Sequence, residues 1–187
     1  ATNSDGTVTV DGTGEPGAVV TVTYPSGDTA TALVGSDGTW TATSPNAENG
    51  GDITASQEDQ NGNTSSDVDA GTLVSIDTVV GNTDGTVTVT GTAEAGATVT
   101  ITYPNGETVT TVAGTDGSFS VTSTTTQPDD VTTADDILAD ANDGTYDAPQ
   151  DSADYVDTTN PLPPTTTNVA TNSDGTVTVD GTGEPGA

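Results

Sequence analysis

The chain has no lysine, arginine, histidine or cysteine, while its 29 aspartates and glutamates give it a net charge of −29. Without cysteine, no disulfide can stabilise the fold. The uniform negative charge excludes nucleic acids and anionic membranes as electrostatic partners. Cations are the partners that this composition favours, because no basic side chain is present to neutralise the carboxylates.

The same absences argue against an enzyme. The common nucleophile–base pairs need histidine, cysteine or lysine. Paired carboxylates could hydrolyse glycosides, but most acidic residues here lie in or near repeated turns, where a single cleft is not built. There is no signal peptide and no apolar stretch long enough to span a membrane. We therefore expect a non-catalytic, internal piece of a larger protein without membrane insertion.

Large apolar residues are scarce, and with this charge the composition is typical of disordered proteins. The order of the residues indicates the opposite. Threonine and valine alternate with period two in several stretches, such as 7–10, 20–23 and 86–89. Both residues are β-branched and suit half-buried strands. We expect folded β-domains with thin cores that need stabilisation from another source.

Internal repeats divide the chain. Residues 1–18 recur identically as 170–187, and 6–10 and 23–28 have looser copies at 85–89 and 102–107. The stretch 74–80, with Asp77, and its second appearance at 155–159, with Asp157, are interpreted as junctions between tandem domains. The predicted domains are 1–76, whose first strand is missing or supplied by a preceding linker, 77–156, and 157–187, a linker followed by the start of a third repeat.

Asn-Gly and Asp-Gly turn signals separate seven short antiparallel strands in each unit, which predicts an all-β fold of tandem immunoglobulin-like β-sandwich domains. Trp40 and Phe119 are the expected core anchors. Residues 133–136 could instead cap one helical turn. The predicted strands are 52–57 and 66–72 at the end of the first unit, and 73–80, 86–91, 97–103, 107–113, 118–123, a segment of 131–140, and 152–156 in the second.

Seven antiparallel strands place the chain's entry and exit at opposite ends of a domain. The end that receives the chain in the second unit then gathers Asp77, Glu94, Asp116 and Asp140 or Asp143. Oxygen ligands from separate loops, with no imidazole or thiolate, suit a hard cation such as Ca²⁺. Loops of the preceding domain would add Asp5, Asp28 and Glu48 nearby.

These acids have an alternative interpretation as solvated turn residues, since Asp-Gly favours turns without metal. For Asp37 and Asp116 both interpretations remain open. For Asp77, Asp157, Glu15 and Glu94 the ligand interpretation is favoured, because no cationic side chain can pair with them. Asp59, in the loop 58–63, is a further candidate. Residues 140–144 are similar to the opening of an EF-hand loop, but the glycine comes one residue early and no glutamate stands at the twelfth position.

The series Gly-Thr-Gly-Glu-Pro-Gly-Ala (12–18), Tyr-Pro-Ser-Gly-Asp (24–28) and Asp-Gln-Asn-Gly-Asn-Thr-Ser (59–65), with Ile-Asp-Thr at 76–78, resembles bacterial Ig-like repeats of giant RTX-type adhesins. The resemblance covers nearly the whole chain. It implies an extracellular extender, exported unfolded by a type I system, with junctions rigidified by Ca²⁺. The ligands it implies are Asp77, Glu94, Asp157, Glu15 and Glu184.

The sequence thus predicts a calcium-stiffened extender at a bacterial cell surface, a monomeric elongated rod whose partners are its neighbouring repeats and calcium ions. The alternative is an Ig-like module that recognises a carbohydrate or a protein through its loops. Near-identical tandem copies favour the extender, since copying multiplies length. The few aromatic residues, 3% of the chain, disfavour stacking on sugars.

Overall fold

A computed structural model describes residues 1–128, 137–155 and 163–183, and all the regular structure in these ranges is β-strand. The strands there are β1 (Thr9–Thr13), β2 (Val19–Thr23), β3 (Thr29–Leu33), β4 (Thr39–Thr43), β5 (Gly51–Glu58), β6 (Val68–Gly81), β7 (Val87–Ala93), β8 (Thr98–Thr102), β9 (Thr108–Val112), β10 (Ser118–Thr122), β11 (Ile137–Asn142), β12 (Asp151–Ala153), β13 (Thr165–Thr171) and β14 (Val177–Thr182). The possible helical turn at 133–136 lies outside the described residues.

The first sandwich packs the antiparallel pair β1–β4 against a sheet in the order β3–β2–β5–β6. Alternation along each strand decides which side chains enter the core. In β2, Val20 and Val22 are buried while Thr23 is exposed. Trp40 completes this core as the sequence predicted. The Thr/Val alternation therefore has the role expected of a half-buried strand.

The second sandwich repeats this arrangement with β7–β10 joined to β6 on one side and β12–β11–β8–β9 on the other. Its core contains Val99, Ile101, Tyr103 and Phe119, all buried. Phe119 occupies the place that Trp40 has in the first sandwich. The predicted all-β, immunoglobulin-like fold is confirmed.

Strand β6 belongs to both sandwiches. Leu73 pairs with Gly51 of the first, and the next residue, Val74, pairs with Ala93 of the second. The sequence interpretation divided this stretch into two strands, 66–72 and 73–80, whereas the structure has one uninterrupted strand. One six-stranded sheet, β10–β7–β6–β5–β2–β3, consequently runs through both domains. The cores divide between Leu73 and Val74, three residues before the predicted boundary.

Strands β13 and β14 form a hairpin whose residues are all exposed. Its second strand lies within the segment identical to residues 1–18. Val177 is 59% exposed, while Val8, the same residue of the identical segment, is 2% exposed in the first sandwich. The same residues are therefore core in one setting and surface in the other, depending on which strands surround them.

Candidate functional site

The two sandwiches meet closely on one side of β6. A Cβ atom at Gly50, in the connection that precedes β5, would lie 1.9 Å from the carbonyl oxygen of Thr92 at the end of β7. A cleft of about 420 Å³ opens beside this contact, with Tyr24 and Pro25 of the first sandwich and Ala95 of the second among its walls. Both domains therefore contribute to one surface recess at the junction.

Four carboxylates surround this junction, and we refer to Asp52, Asp69, Glu94 and Asp143 as the junction cluster. Asp52 lies on β5 and Asp69 near the start of β6, both in the first sandwich. Glu94 follows β7, and Asp143 directly follows β11, so both extend from the near end of the second sandwich. The antiparallel order of the strands brings these chain ends to the same side.

Glu94 and Asp143 are in contact. The Oε2 atom of Glu94 and the Oδ2 atom of Asp143 are buried, and with both groups ionised neither has a hydrogen-bond donor among the residues that the structure describes. Buried polar atoms are normally satisfied, and two facing carboxylates repel each other. A shared proton or a bound cation would remove this conflict.

The electrostatics of Glu94 reflect the same conflict. Burial, then the charges of Asp52, Asp143 and Asp69, and the contact with Asp143 raise its pKa from 4.5 to about 7. The pKa of Asp52 is also raised, by partial burial first and then by Asp69 and Asp143. Carboxylates from both sandwiches therefore raise one another's pKa by electrostatic repulsion across the junction.

Asp143 differs because its surroundings donate hydrogen bonds to it. Burial is the largest single influence and raises its pKa, but the backbone amides of Tyr146 and Thr145 and the contact with Glu94 together lower it. Both amides donate to Oδ1, at 2.7 Å and 2.5 Å. Asp143 thus stays ionised while it contacts Glu94, so the pair carries at least one negative charge.

The cluster does not form a closed coordination shell. Within residues 1–128, 137–155 and 163–183, no three carboxylates converge closely enough to hold one ion. Protein carbonyls and water make up the rest of a calcium shell in many sites, which hold six to eight oxygens. The arrangement offers a pair of carboxylates, with further negative charge from the neighbouring domain.

Three other predicted ligands accept hydrogen bonds within their own turns. Asp116 lines the junction cleft, but its Oδ1 atom accepts from the amide and hydroxyl of Ser118. Asp37 accepts in the same way from Thr39, at 3.1 Å and 2.8 Å. Asp59 accepts from residues 61 and 63. These hydrogen bonds lower the pKa of all three groups and are what the turn interpretation expects.

Asp77 is exposed at a β-bulge between Ile76 and Thr78. The corresponding bulge of β13 contains Thr167, so the aspartate is not repeated at that position. The predicted second junction residue, Asp157, and the predicted ligand Glu184 lie outside the described residues.

The remaining candidates lie apart from the junction cluster or bond locally. Asp140 accepts two hydrogen bonds from Gln150 and lines a separate recess. Glu15 is exposed, and its backbone amide donates to Gln57. The three acids expected from the preceding domain bond to neighbours there: Asp5 to Thr7, Asp28 to Asn46 and Glu48 to Ser26.

Sequence reasoning missed Asp52 and Asp69. It searched for ligands in loops, whereas these two residues lie on strands. Neither residue stands out in the sequence, because both are ordinary outward-facing strand residues. Their proximity to the loops of the second sandwich depends on how β6 joins the two sheets.

A comparison with known protein families agrees with this architecture. A family model described as a bacterial Ig domain matches residues 1–73 and 75–149. The chain belongs to this family of immunoglobulin-like domains. The matched segments separate at residue 74, where the strand pairing changes from one sandwich to the other. No curated protein is significantly similar to the chain.

Solved structures that are similar to the chain include the following three. The BSP domain of a biofilm-associated protein is 24% identical over 82% of this chain and 28% of that one, with a TM-score of 0.34. A Ca²⁺-stabilised adhesin with which an Antarctic bacterium binds ice is 26% identical over 96% of this chain and 53% of that one, with a TM-score of 0.37. A 1.5-MDa bacterial ice-binding adhesin is 22% identical over 96% of this chain and 69% of that one, with a TM-score of 0.33. The chain therefore spans about a quarter of the length of the first of these structures and about half of the length of the second. Its described residues contain no helix that could cross a membrane.

Proposed function

We propose that the chain is a spacer segment of a bacterial cell-surface adhesin and that Ca²⁺ bound at the junction cluster stiffens the joint between its domains. One observation carries the proposal: two carboxylates in contact, Glu94 and Asp143, each with one buried oxygen that has no hydrogen-bond donor within the described residues, lie where a single strand passes from one sandwich to the next. A spacer must hold its two ends apart and transmit force between them. A strand shared by two sheets provides the mechanical continuity that this role needs.

The residues present suit a calcium ion. The cluster offers only oxygen donors, and the chain has no histidine or cysteine that would select a softer metal. Glu94 and Asp143 would hold the ion, and Asp52 of the first sandwich would contribute its charge or a water-mediated contact. Bound Ca²⁺ would supply the positive charge that the junction lacks. Joining groups from both domains restrains an interface that would otherwise allow domain motion.

The internal repeat supports more than one joint of this type. Glu15 and Asp59 hold the positions in the first sandwich that Glu94 and Asp143 hold in the second, as the pairing of β2 with β5 and of β8 with β11 indicates. Glu184 is the third copy in the sequence. A series of such joints would give an elongated monomeric rod outside the cell, in contact with its own neighbouring repeats.

A calcium titration combined with small-angle scattering tests the proposal. Wild-type protein should bind Ca²⁺ and show a narrower distribution of inter-domain angles than in chelator. Glu94→Gln and Asp143→Asn should each weaken binding at least tenfold, because each removes a ligand charge. Asp37→Asn, which removes the same charge from an exposed turn, is the matched control and should bind normally. Equal calcium affinity in all four proteins would refute the assignment.

A further inference from the structure

Asparagine is followed directly by glycine at three places in the chain, residues 49–50, 61–62 and 105–106. At such a step the backbone nitrogen of the glycine can attack the side-chain Cγ atom of the asparagine, because glycine has no Cβ atom to hinder the approach. This attack begins deamidation, which replaces the asparagine side chain by a carboxylate. All three steps lie in connections between strands, so the local hydrogen bonds decide which of them can react.

Two of the three steps are held by their turns. The amide of Gly62 donates to the Asp59 carbonyl, 3.1 Å away, and the amide of Gly106 donates to the Tyr103 carbonyl, 2.8 Å away. The side chain of Asn105 is also bound, since its Nδ2 atom donates two hydrogen bonds and its Oδ1 atom accepts one. In both turns the attacking nitrogen is engaged, and a hydrogen bond must break before a ring can form.

The step at Asn49 and Gly50 is not held in this way. Asn49 is exposed, and within residues 1–128, 137–155 and 163–183 neither its side chain nor the Gly50 amide makes a hydrogen bond. The nearby Asn46 differs, because its side chain donates to Asp28 and it is followed by alanine, whose Cβ atom hinders attack. Both reacting groups are therefore free at Asn49.

The fold requires glycine at residue 50. A Cβ atom there would lie 1.9 Å from the carbonyl oxygen of Thr92 and 2.9 Å from the amide nitrogen of Ser75. The close approach of the two sandwiches thus keeps an unhindered residue directly after Asn49. It also places the reactive step at the joint, three residues before Asp52 of the junction cluster.

We propose that Asn49 is a modification site, and that its spontaneous conversion to aspartate and isoaspartate loosens the joint between the two sandwiches. The Gly50 nitrogen loses its proton to solvent hydroxide and bonds to Cγ of Asn49, and the bond from Cγ to Nδ2 breaks with release of ammonia. Water then opens the resulting imide ring. Opening at Cγ gives aspartate, and opening at the backbone carbonyl carbon gives isoaspartate, so each conversion consumes one water and releases one ammonia.

Isoaspartate disturbs the joint more than aspartate does. It inserts a methylene group into the backbone directly before Gly50, where the Thr92 carbonyl already excludes an added carbon atom. Both products also add a negative charge near Asp52, a residue whose charge other carboxylates already oppose. Conversion therefore displaces the Gly50 backbone and adds repulsion at the same place.

Peptide mapping of the full chain tests the modification. The protein is kept in mildly alkaline buffer with chelator, so that the result does not depend on calcium binding. A protease that cleaves before aspartate releases residues 37–51 as one fragment. Aspartate at residue 49 creates a new cleavage site in this fragment, whereas isoaspartate leaves it whole with a changed mass. The fragments 59–66 and 84–115 report the other two steps.

The rate at each step is divided by the rate of the same step in denaturant, which removes the influence of neighbouring sequence. The resulting ratio should be at least about threefold higher at Asn49 than at Asn61 or Asn105, because the latter two must first break a turn hydrogen bond. Equal ratios, or a higher ratio at Asn61 or Asn105, would overturn Asn49 as the reactive site.

Hydrogen exchange at the Ser75 amide tests the effect on the joint. Exchange should be at least about threefold faster in aged, converted protein than in fresh protein, because the contact beside Gly50 is displaced. Asn49→Gln is the matched control: its longer side chain would have to form a larger ring, which closes more slowly, so its exchange should not change with age. Conversion of Asn49 without faster exchange at Ser75 would contradict the loosening of the joint.

Asn49→Asp separates the added charge from the inserted methylene group. The fresh variant has the charge of the products and an ordinary backbone, so its exchange at Ser75 should be less than about twofold faster than that of fresh wild type. Exchange as fast as in the aged wild type would show that charge alone loosens the joint, and isoaspartate would lose its assigned role.

Discussion

Leu73 and Val74 are consecutive residues of one strand, yet their side chains lie in different hydrophobic cores. Leu73 is 5% exposed and packs with the first sandwich, and Val74 is 7% exposed and packs with the second. Alternation along a strand sends neighbouring side chains to opposite faces. Here the opposite faces of β6 are covered by different domains, so one peptide bond separates two cores.

This relationship predicts domain-specific destabilisation. Leu73→Ala should destabilise the first sandwich by about 2–4 kcal/mol, since it leaves a cavity in that core. Val74→Ala should cost about 2 kcal/mol, in the second sandwich. Trp40 fluorescence follows only the first sandwich, and amide hydrogen exchange follows both. Loss of protection in both domains from either substitution would contradict two separate cores.

Gly50 should be intolerant of a side chain because of the junction. An added Cβ atom would lie 1.9 Å from the Thr92 carbonyl oxygen and 2.9 Å from the Ser75 amide nitrogen. Gly50→Ala should therefore separate the sandwiches locally while each remains folded. Faster hydrogen exchange at Ser75 is the expected signature. Gly183→Ala, where an added Cβ meets nothing within 4 Å, is the control and should leave that exchange unchanged.

Asp77 and Asp143 should differ in their effect on calcium binding. Asp77 is exposed on the bulge, three residues or about 10 Å along the strand from Val74. Asp143 contacts Glu94. We expect Asp77→Asn to change calcium affinity by less than about twofold and Asp143→Asn to lower it at least tenfold. Each substitution removes one negative charge. Isothermal titration of both variants with Ca²⁺ therefore distinguishes direct coordination by a carboxylate from general electrostatic attraction. The opposite ranking would make Asp77 the junction ligand.

The stability of the calcium-free protein should fall as the pH rises from about 5 to 8. Burial raises the pKa of Glu94 to about 7 in the folded state, from 4.5. The folded state thus binds more protons than the unfolded state between these values, and this contribution to stability is lost as Glu94 ionises. Melting temperatures in chelator across this range should decline less for Glu94→Gln than for the wild type. Parallel pH profiles for the two proteins would show that Glu94 does not titrate in this window.

Several parts of the fold could be predicted because they depend on local pattern. The alternation in 98–102 predicted β8, since every second side chain must be apolar to face a core. The Pro-Asn-Gly turn at 104–106 predicted the β8–β9 hairpin, in which the amide of Gly106 donates to the Tyr103 carbonyl. Glu94 and Asp143 were found among the candidates because turn acids without basic partners are unusual.

The rest of the junction could not be predicted from pattern. Asp52 and Asp69 are ordinary outward-facing strand residues in the sequence. Their proximity to Glu94 depends on which sheet of the first domain is continuous with which sheet of the second. The run Thr72, Leu73 and Val74, buried at three consecutive residues, breaks the alternation that an ordinary half-buried strand would show.

By itself the sequence determined most of the strands, the turns, the repeat and the strong negative charge, because backbone preference, side-chain alternation and net charge are local or additive properties. Tertiary structure alone decided that β6 is shared, that Glu94 meets Asp143, and that identical valines are buried at Val8 but exposed at Val177. Burial and carboxylate repulsion depend on which distant strands and loops surround a residue, and these long-range contacts are absent from its local sequence.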